Sequence, residues 1–334
     1  MNLPFGMRRA AAMTLAGAAA LAGAALAVPA PDPGPRAPAA GRVFETPSPS
    51  QSPSKAADAP RRVVSLNLCT DQLAMLLAAP GQLLSVSSMA SDPHVSAMRD
   101  RAGAFAVNHG RAEEIFLMRP DLVLAGTYTA RETVSMLRRL GFRVETFAPE
   151  ADFDVIRANI RRMGALLGRE AQAEAMTAEM DARLEAARPA PDAPRPLAAL
   201  LEAASWSSGA GTLAHEIVTA AGLRNLGAEL GITGMARLPL ERLVMGAPEL
   251  LIAARPYTPP SLSEQGMRHP ALAPLQARAG RVALADARWV CGAPFTAEAV
   301  ADLSAARRAL TGEGRSAALV PAASAAPAAN TVAR

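Results

Sequence analysis

The stretch Ala112-Glu113-Glu114-Ile115-Phe116-Leu117-Met118-Arg119-Pro120-Asp121-Leu122-Val123-Leu124 reads as a short helix, a Pro-acid break and a buried strand. It returns as Leu240-Glu241-Arg242-Leu243-Val244-Met245-Gly246-Ala247-Pro248-Glu249-Leu250-Leu251-Ile252. Glu113 and Glu241 precede their Pro-acid-apolar runs by the same interval. Two copies of one helix-turn-strand unit imply two pseudo-equivalent halves.

Outward from the first copy, residues 61–150 alternate strands and helices. Arg62–Leu66 is β-branched, Asp71–Ala79 is helical and stops at Pro80-Gly81, and Leu83–Ser87 is a second strand. Thr129–Leu140 is helical with Gly141 as its C-cap, and 142–147 is again extended. Outward from the second copy, residues 195–312 show strands at 197–201 and 281–284 and helices at 213–221 and 297–310. Such alternation implies parallel sheets covered by helices on both faces. Between the halves, residues 152–187 contain no Pro, and Ile156, Ile160, Met163, Leu167, Met176, Met180 and Leu184 fall at helical spacing. One helix over the 36 residues 152–187, filling the inter-lobe segment 151–188, would be roughly 54 Å long. Gly164 and Gly168 are the points where it can bend or break.

The remaining sequence narrows compartment and class. Residues 1–27 have the form of a signal peptide: Arg8-Arg9, an Ala/Leu-rich apolar run and the small-x-small site Ala25-Leu26-Ala27. An uncleaved anchor is the alternative; a Sec signal is favoured over a twin-arginine one, since a bare Arg pair is weak evidence. Residues 28–60 and 313–334, rich in Pro, Ala and Ser, read as a disordered linker and a disordered tail. The 334 residues are 50% hydrophobic, enough for a sizeable core, and the formal charge is only +4 with no basic block interleaved with aromatics. Nucleic-acid binding therefore has little support. There is no Gly-rich phosphate loop, nucleophile elbow or spaced metal-hydrolase motif.

The order of these elements resembles the periplasmic binding proteins of iron-siderophore and cobalamin ABC importers. The likeness is carried by Arg62–Leu66 with Thr70-Asp71-Gln72-Leu73, by Ser85-Val86-Ser87 with Asp92-Pro93, by Glu113–Leu124, by Leu140–Val144, and by His269-Pro270 with Arg281-Val282. It covers roughly residues 61–312. It implies the class III arrangement: an α/β fold with two Rossmann-like lobes, 61–150 and 195–312, joined by a single long α-helix. It also implies an exported, periplasmic, monomeric carrier and not an enzyme. Such a carrier holds a metal chelate (cobalamin or another corrinoid, haem, or a ferric siderophore) as cargo, with no permanent cofactor, and delivers it to an ABC permease dimer with its ATPase at the inner membrane. The family's docking acids correspond by position to Glu113 and Glu241; by themselves these are also acids favourable to a helix N-terminus.

Ligands of open α/β sheets lie beyond the carboxyl ends of the strands. The expected cleft residues are Cys69, Asn108, His109 and Tyr128 on the first lobe, and Trp206, Tyr257, Arg288, Trp289 and Cys291 on the second. Both Trp and both Tyr fall in loops, which suits stacking on a flat chelate or macrocycle. The cysteines admit three readings: a disulfide across the lobes, paired soft metal ligands with His109 or His94, or two separate buried thiols. Arg131, Arg255 and Arg288 can neutralise an anionic chelate or merely be solvated. Two alternatives stand beside the carrier: a periplasmic ligand sensor of the same fold, and an enzyme using Cys69 as nucleophile and His109 as base.

Overall fold

The computed structural model describes residues 59–254, 263–264, 269–284 and 286–313. The expected signal peptide, nearly all of both low-complexity segments, Arg255 and Tyr257 lie outside the described residues. Among the described residues no helix is long and apolar enough to cross a membrane.

The first lobe runs β1 (Val63–Ser65), α1 (Leu68–Leu77), β2 (Leu83–Ser87), α2 (Arg99–Ala102), β3 (Ala106–Asn108), α3 (Ala112–Met118), β4 (Leu122–Gly126), α4 (Arg131–Arg139) and β5 (Val144–Phe147). Its strands form one parallel sheet of order β3-β2-β1-β4-β5. Then come α5 (Phe153–Leu167) and α6 (Glu170–Ala187). The second lobe follows as β6 (Leu197–Leu201), β7 (Trp206–Ser208), α7 (Leu213–Ala220), β8 (Arg224–Asn225), α8 (Leu226–Glu229), β9 (Met235–Arg237), α9 (Leu240–Gly246), β10 (Leu250–Ala254), α10 (Ala273–Arg278), β11 (Gly280–Leu284) and α11 (Thr296–Thr311). Its parallel sheet has the order β11-β10-β6-β8, and β7 pairs antiparallel with β9 beside it.

The central strands β1, β4, β6 and β10 are buried on both faces, as their near-continuous apolar runs require, while the edge strands β3, β5 and β8 are partly exposed. Side chains alternate across a strand. Thus Val63, Leu122 and Leu124 face one way and join a core that continues through Met163 and Met180 to Leu200, Leu250, Ile252 and Leu303 in the second lobe. Val64 and Val123 face the other way, against Ile115 of α3 and Leu137 of α4. In the second lobe Ala199, Leu201 and Leu251 meet Leu243 of α9 and Leu275 of α10. One core therefore spans both lobes, and α3 and α9 occupy equivalent places on the outer faces.

The single long helix is corrected. The segment is a helical hairpin bent at Gly168, which ends α5 at φ 68°. A side chain on Gly164 would come within 2.4 Å of the Ala173 Cβ, so glycine lets the two helices cross closely. Arg161–Glu174 and Arg157–Asp181 close the hairpin's outer side. The bend is anchored to the first lobe by Gln82 Nε2 donating to Leu167 O and Gln172 Nε2 donating to Leu76 O. α5 packs on α1, and α6 packs on α11. The inter-lobe span is thus α6 alone, 18 residues and about 27 Å.

Candidate ligand cleft and docking helices

Most of the expected cleft residues that are described lie in the segments at or just beyond the carboxyl ends of strands in the two sheets. Beneath the first lobe's rim lies a buried polar floor. Ser65 Oγ and Thr70 Oγ1 share a 2.8 Å hydrogen bond, and the Asn108 amide donates to Ser65 O at 2.9 Å and Ser85 Oγ at 2.8 Å. Asp71, wholly buried in the first turn of α1, accepts from the Ser87 amide and hydroxyl, and the Ser65 hydroxyl also favours its anion. Loss of hydration dominates, and pushes its carboxyl up to about 6 against the bonds that favour the anion. In the second lobe Asn225 repeats the device: its amide donates to Ser208 O and its carbonyl accepts from Gly227 N, as Asn108 accepts from Gly110 N.

Asn108 is therefore a brace across three strands and not a cargo-binding group: it is buried and its amide is consumed within the lobe. His109, the next residue, points outward; its amide and Nδ1 both engage Glu114. Tyr128, just after β4, is almost fully exposed. In the second lobe Trp206 is partly exposed at the head of β7. It is delivered by Ala204 and Ser205, both left-handed at φ 54° and 59°, where non-glycine residues are strained. Trp289 is half-buried against the shared core. Arg288 is held by Asp302 at 2.6 Å and Glu298 at 3.6 Å. It lines a cavity of about 540 Å³ along α6, with Met98, Met176, Met180 and Phe295, and does not stand as a free cation at the rim.

The cysteines are settled as a disulfide. Cys69 at the start of α1 joins Cys291, with 5.1 Å between Cα atoms. This overturns the thiolate metal-ligand and nucleophile readings, since neither sulfur is a thiol, and Cys291 is fully buried. The bond does not obstruct a mouth: it lies where the loop before α11 is already seated on the first lobe. Gly292 N donates to Glu150, whose carboxylate also accepts from Asn159. Burial, the largest influence, raises the Glu150 carboxyl above the ordinary range. A Cβ on Gly292 would meet Glu150 and Ile156 at 2.5 Å. Sequence reasoning missed Glu150 and the strained pair before Trp206. An acid placed between a strand and a helix carries no local sign of burial.

Glu113 and Glu241 lie exposed in the first turns of α3 and α9, each a seven-residue helix. Both helices end in a left-handed residue, Arg119 at φ 47° and Ala247 at φ 44°. The acids after Pro120 and Pro248 also act alike: Asp121 accepts from Arg61 and Arg62 amides at the start of β1, and Glu249 accepts from Leu197 N at the start of β6.

A family model described as periplasmic binding protein matches residues 63–288. The chain belongs to the periplasmic binding protein family. It is 28% identical over 197 residues to a cobalamin-binding protein of Halobacterium salinarum, covering 58% of this chain and 53% of that one. The chain thus spans about half the length of the curated relatives it matches. Among solved structures, a periplasmic heme-binding protein from Roseiflexus sp. RS-1 superposes with TM-score 0.64 at 24% identity, over 75% of this chain and 99% of the other. The vitamin B12 binding protein of Vibrio cholerae does so with TM-score 0.57 at 18% identity, over 75% and 98%. Both share the two-lobed fold. Among the described residues no group of three or more His, Cys, Asp or Glu is placed to hold a metal ion.

Proposed function

We propose that this protein is an exported carrier that captures a flat metal chelate, a corrinoid or haem, between its lobes and presents it to an ABC permease. The observation that carries the reading is the pair of rim aromatics, Tyr128 on one lobe and Trp206 on the other, at the carboxyl ends of the sheets. Trp206 is held there by strained backbone, a cost that persists where a site requires it. Aromatic faces suit a macrocycle, and the curated relative's name, cobalamin-binding protein, points the same way. The shared core and the disulfide argue for small lobe motion on binding. The carrier acts as a monomer in the periplasm, with residues 1–27 as export signal and 28–60 as linker.

Glu113 and Glu241 form the permease contacts. Two carboxylates on rigid helices give orientation and register more than raw affinity. Delivery without turnover replaces the enzyme reading, which has lost its nucleophile to the disulfide.

The test is calorimetry and absorbance titration of the purified chain with cobalamin, haem and ferric siderophores. Saturable binding to a macrocycle, weakened about tenfold or more by Trp206→Ala or Tyr128→Ala, is the expected result. Saturable binding to none of the three ligands defeats the assignment.

A further inference from the structure

Three large apolar side chains among the described residues are more than three-quarters exposed: Leu117 at 79%, Met245 at 84% and Tyr128 at 87%. Tyr128 belongs to the cleft rim. The other two occupy the same position in the repeated unit. Leu117 lies four residues after Glu113 on α3, and Met245 four residues after Glu241 on α9. Residues four apart on a helix are neighbours on one face. Each lobe therefore displays a carboxylate with an apolar knob one turn below it, on a seven-residue helix closed by a left-handed residue.

Scattered single exposures are ordinary on protein surfaces. Two coincidences set this pair apart. The inward partners match, Ile115 and Leu243, so the helices are rotated alike on their sheets and the outward residues match for that reason. The acids also match: neither Glu113 nor Glu241 makes a hydrogen bond or ion pair with any described residue, while nearby Glu114, Asp121 and Glu249 are all engaged.

From this repeated patch we infer that Leu117 and Met245 are a matched pair of apolar anchors. Through them the two lobes grip a partner that offers the same surface twice, a cationic side chain beside an apolar pit. The occupant is the permease dimer. The charge complement is fixed by the free carboxylate, the pit by the knob, and the duplication by the two lobes. This inference rests on the docking proposed above and adds the part that supplies affinity: burying an exposed Leu or Met side chain contributes far more than a solvated ion pair.

The experiment measures binding of the full chain to the cognate permease–ATPase complex in lipid nanodiscs. Leu117→Ala and Met245→Ala should each weaken the complex about tenfold and by similar factors, and the double variant about a hundredfold. Cargo affinity and melting temperature should stay unchanged. Unaltered binding by the double variant, with binding lost in Glu113→Ala/Glu241→Ala, overturns the anchors and leaves the docking acids standing. Unaltered binding by both double variants removes the docking reading itself. An effect confined to one knob overturns the matched pair. So does finding that the substitutions abolish self-association in sedimentation, or binding of a peptide comprising residues 28–58, in place of permease binding.

Discussion

The junction between the lobes and the rim of the cleft treat their polar and apolar groups in opposite ways. At the junction nearly everything is matched. Cys69 and Cys291 are bonded, Gly292 donates to Glu150, Ser304 donates to Ala187 O, and Met180 is buried between the lobes. At the proposed rim and on α3 and α9, Tyr128, Trp206, Glu113, Leu117, Glu241 and Met245 stay open to solvent to differing degrees. A matched group contributes to holding the lobes together; an unmatched one is available to something else. The contrast turns into an ordered set of expectations for stability, largest at the junction and vanishing at the rim.

The largest effect belongs to the disulfide. It closes a separation of 222 residues, so its loss frees a long segment of the unfolded chain. Cys69→Ala/Cys291→Ala should cost about 3–5 kcal/mol, read as a fall in denaturation midpoint relative to the oxidised protein. Reductant should shift the wild type towards the variant and leave the variant unmoved. A variant as stable as the wild type would mean that α6 and the shared core alone hold the junction.

An intermediate effect belongs to the polar floor, buried like the junction yet directly beneath the rim. Asp71 ionises near 3.8 when unfolded and near 6 when folded. Between these values the folded state binds the extra proton, so stability falls as pH rises from about 4 to 6 and is level above. The penalty at neutral pH is on the order of 1–3 kcal/mol. Asp71→Asn keeps an acceptor for Ser87 and should abolish the decline in chemical denaturation between pH 4 and 6. A slope that persists in the variant would place the responsible group elsewhere, Glu150 being the next candidate.

These distinctions were unevenly legible in the sequence. The Pro-acid break and the apolar spacing around Ile115 and Leu243 marked α3 and α9, because local turn chemistry and inward packing agree there. The hairpin was not decided by periodicity. α5 and α6 both lay their apolar residues on the one shared core, so Ile160 and Met180 read as one continuous stripe. Gly164 and Gly168 marked the break, but only the packing against Ala173 and the first lobe turns a flexible point into a reversal. At the cleft, strand ends located the right loops but not the direction of each side chain. Asn108 and His109 are adjacent, and one braces three strands while the other meets solvent. Trp289 and Arg288 sit after β11 as expected, yet that loop folds back onto the core and onto α11. The pairing of Cys69 with Cys291 required knowing that this loop reaches the other lobe.

The smallest stability effect, and the sharpest test of the contrast, lies at the rim. Tyr128 is almost wholly solvated, so Tyr128→Ala removes little packing and should change stability by less than about 0.5 kcal/mol. Trp206 has more to lose, because part of its ring is covered and its strained approach through Ala204 and Ser205 remains after truncation. Trp206→Ala should cost no more than about 1 kcal/mol, far below the disulfide variant. If the rim is poised for cargo, both variants should separate the two observables: near-wild-type denaturation midpoints, with affinity for the macrocycle reduced about tenfold or more. Paired loss of stability and affinity at Trp206 would assign it to the core. A pair of variants altering neither would show that the cargo touches some other part of the cleft.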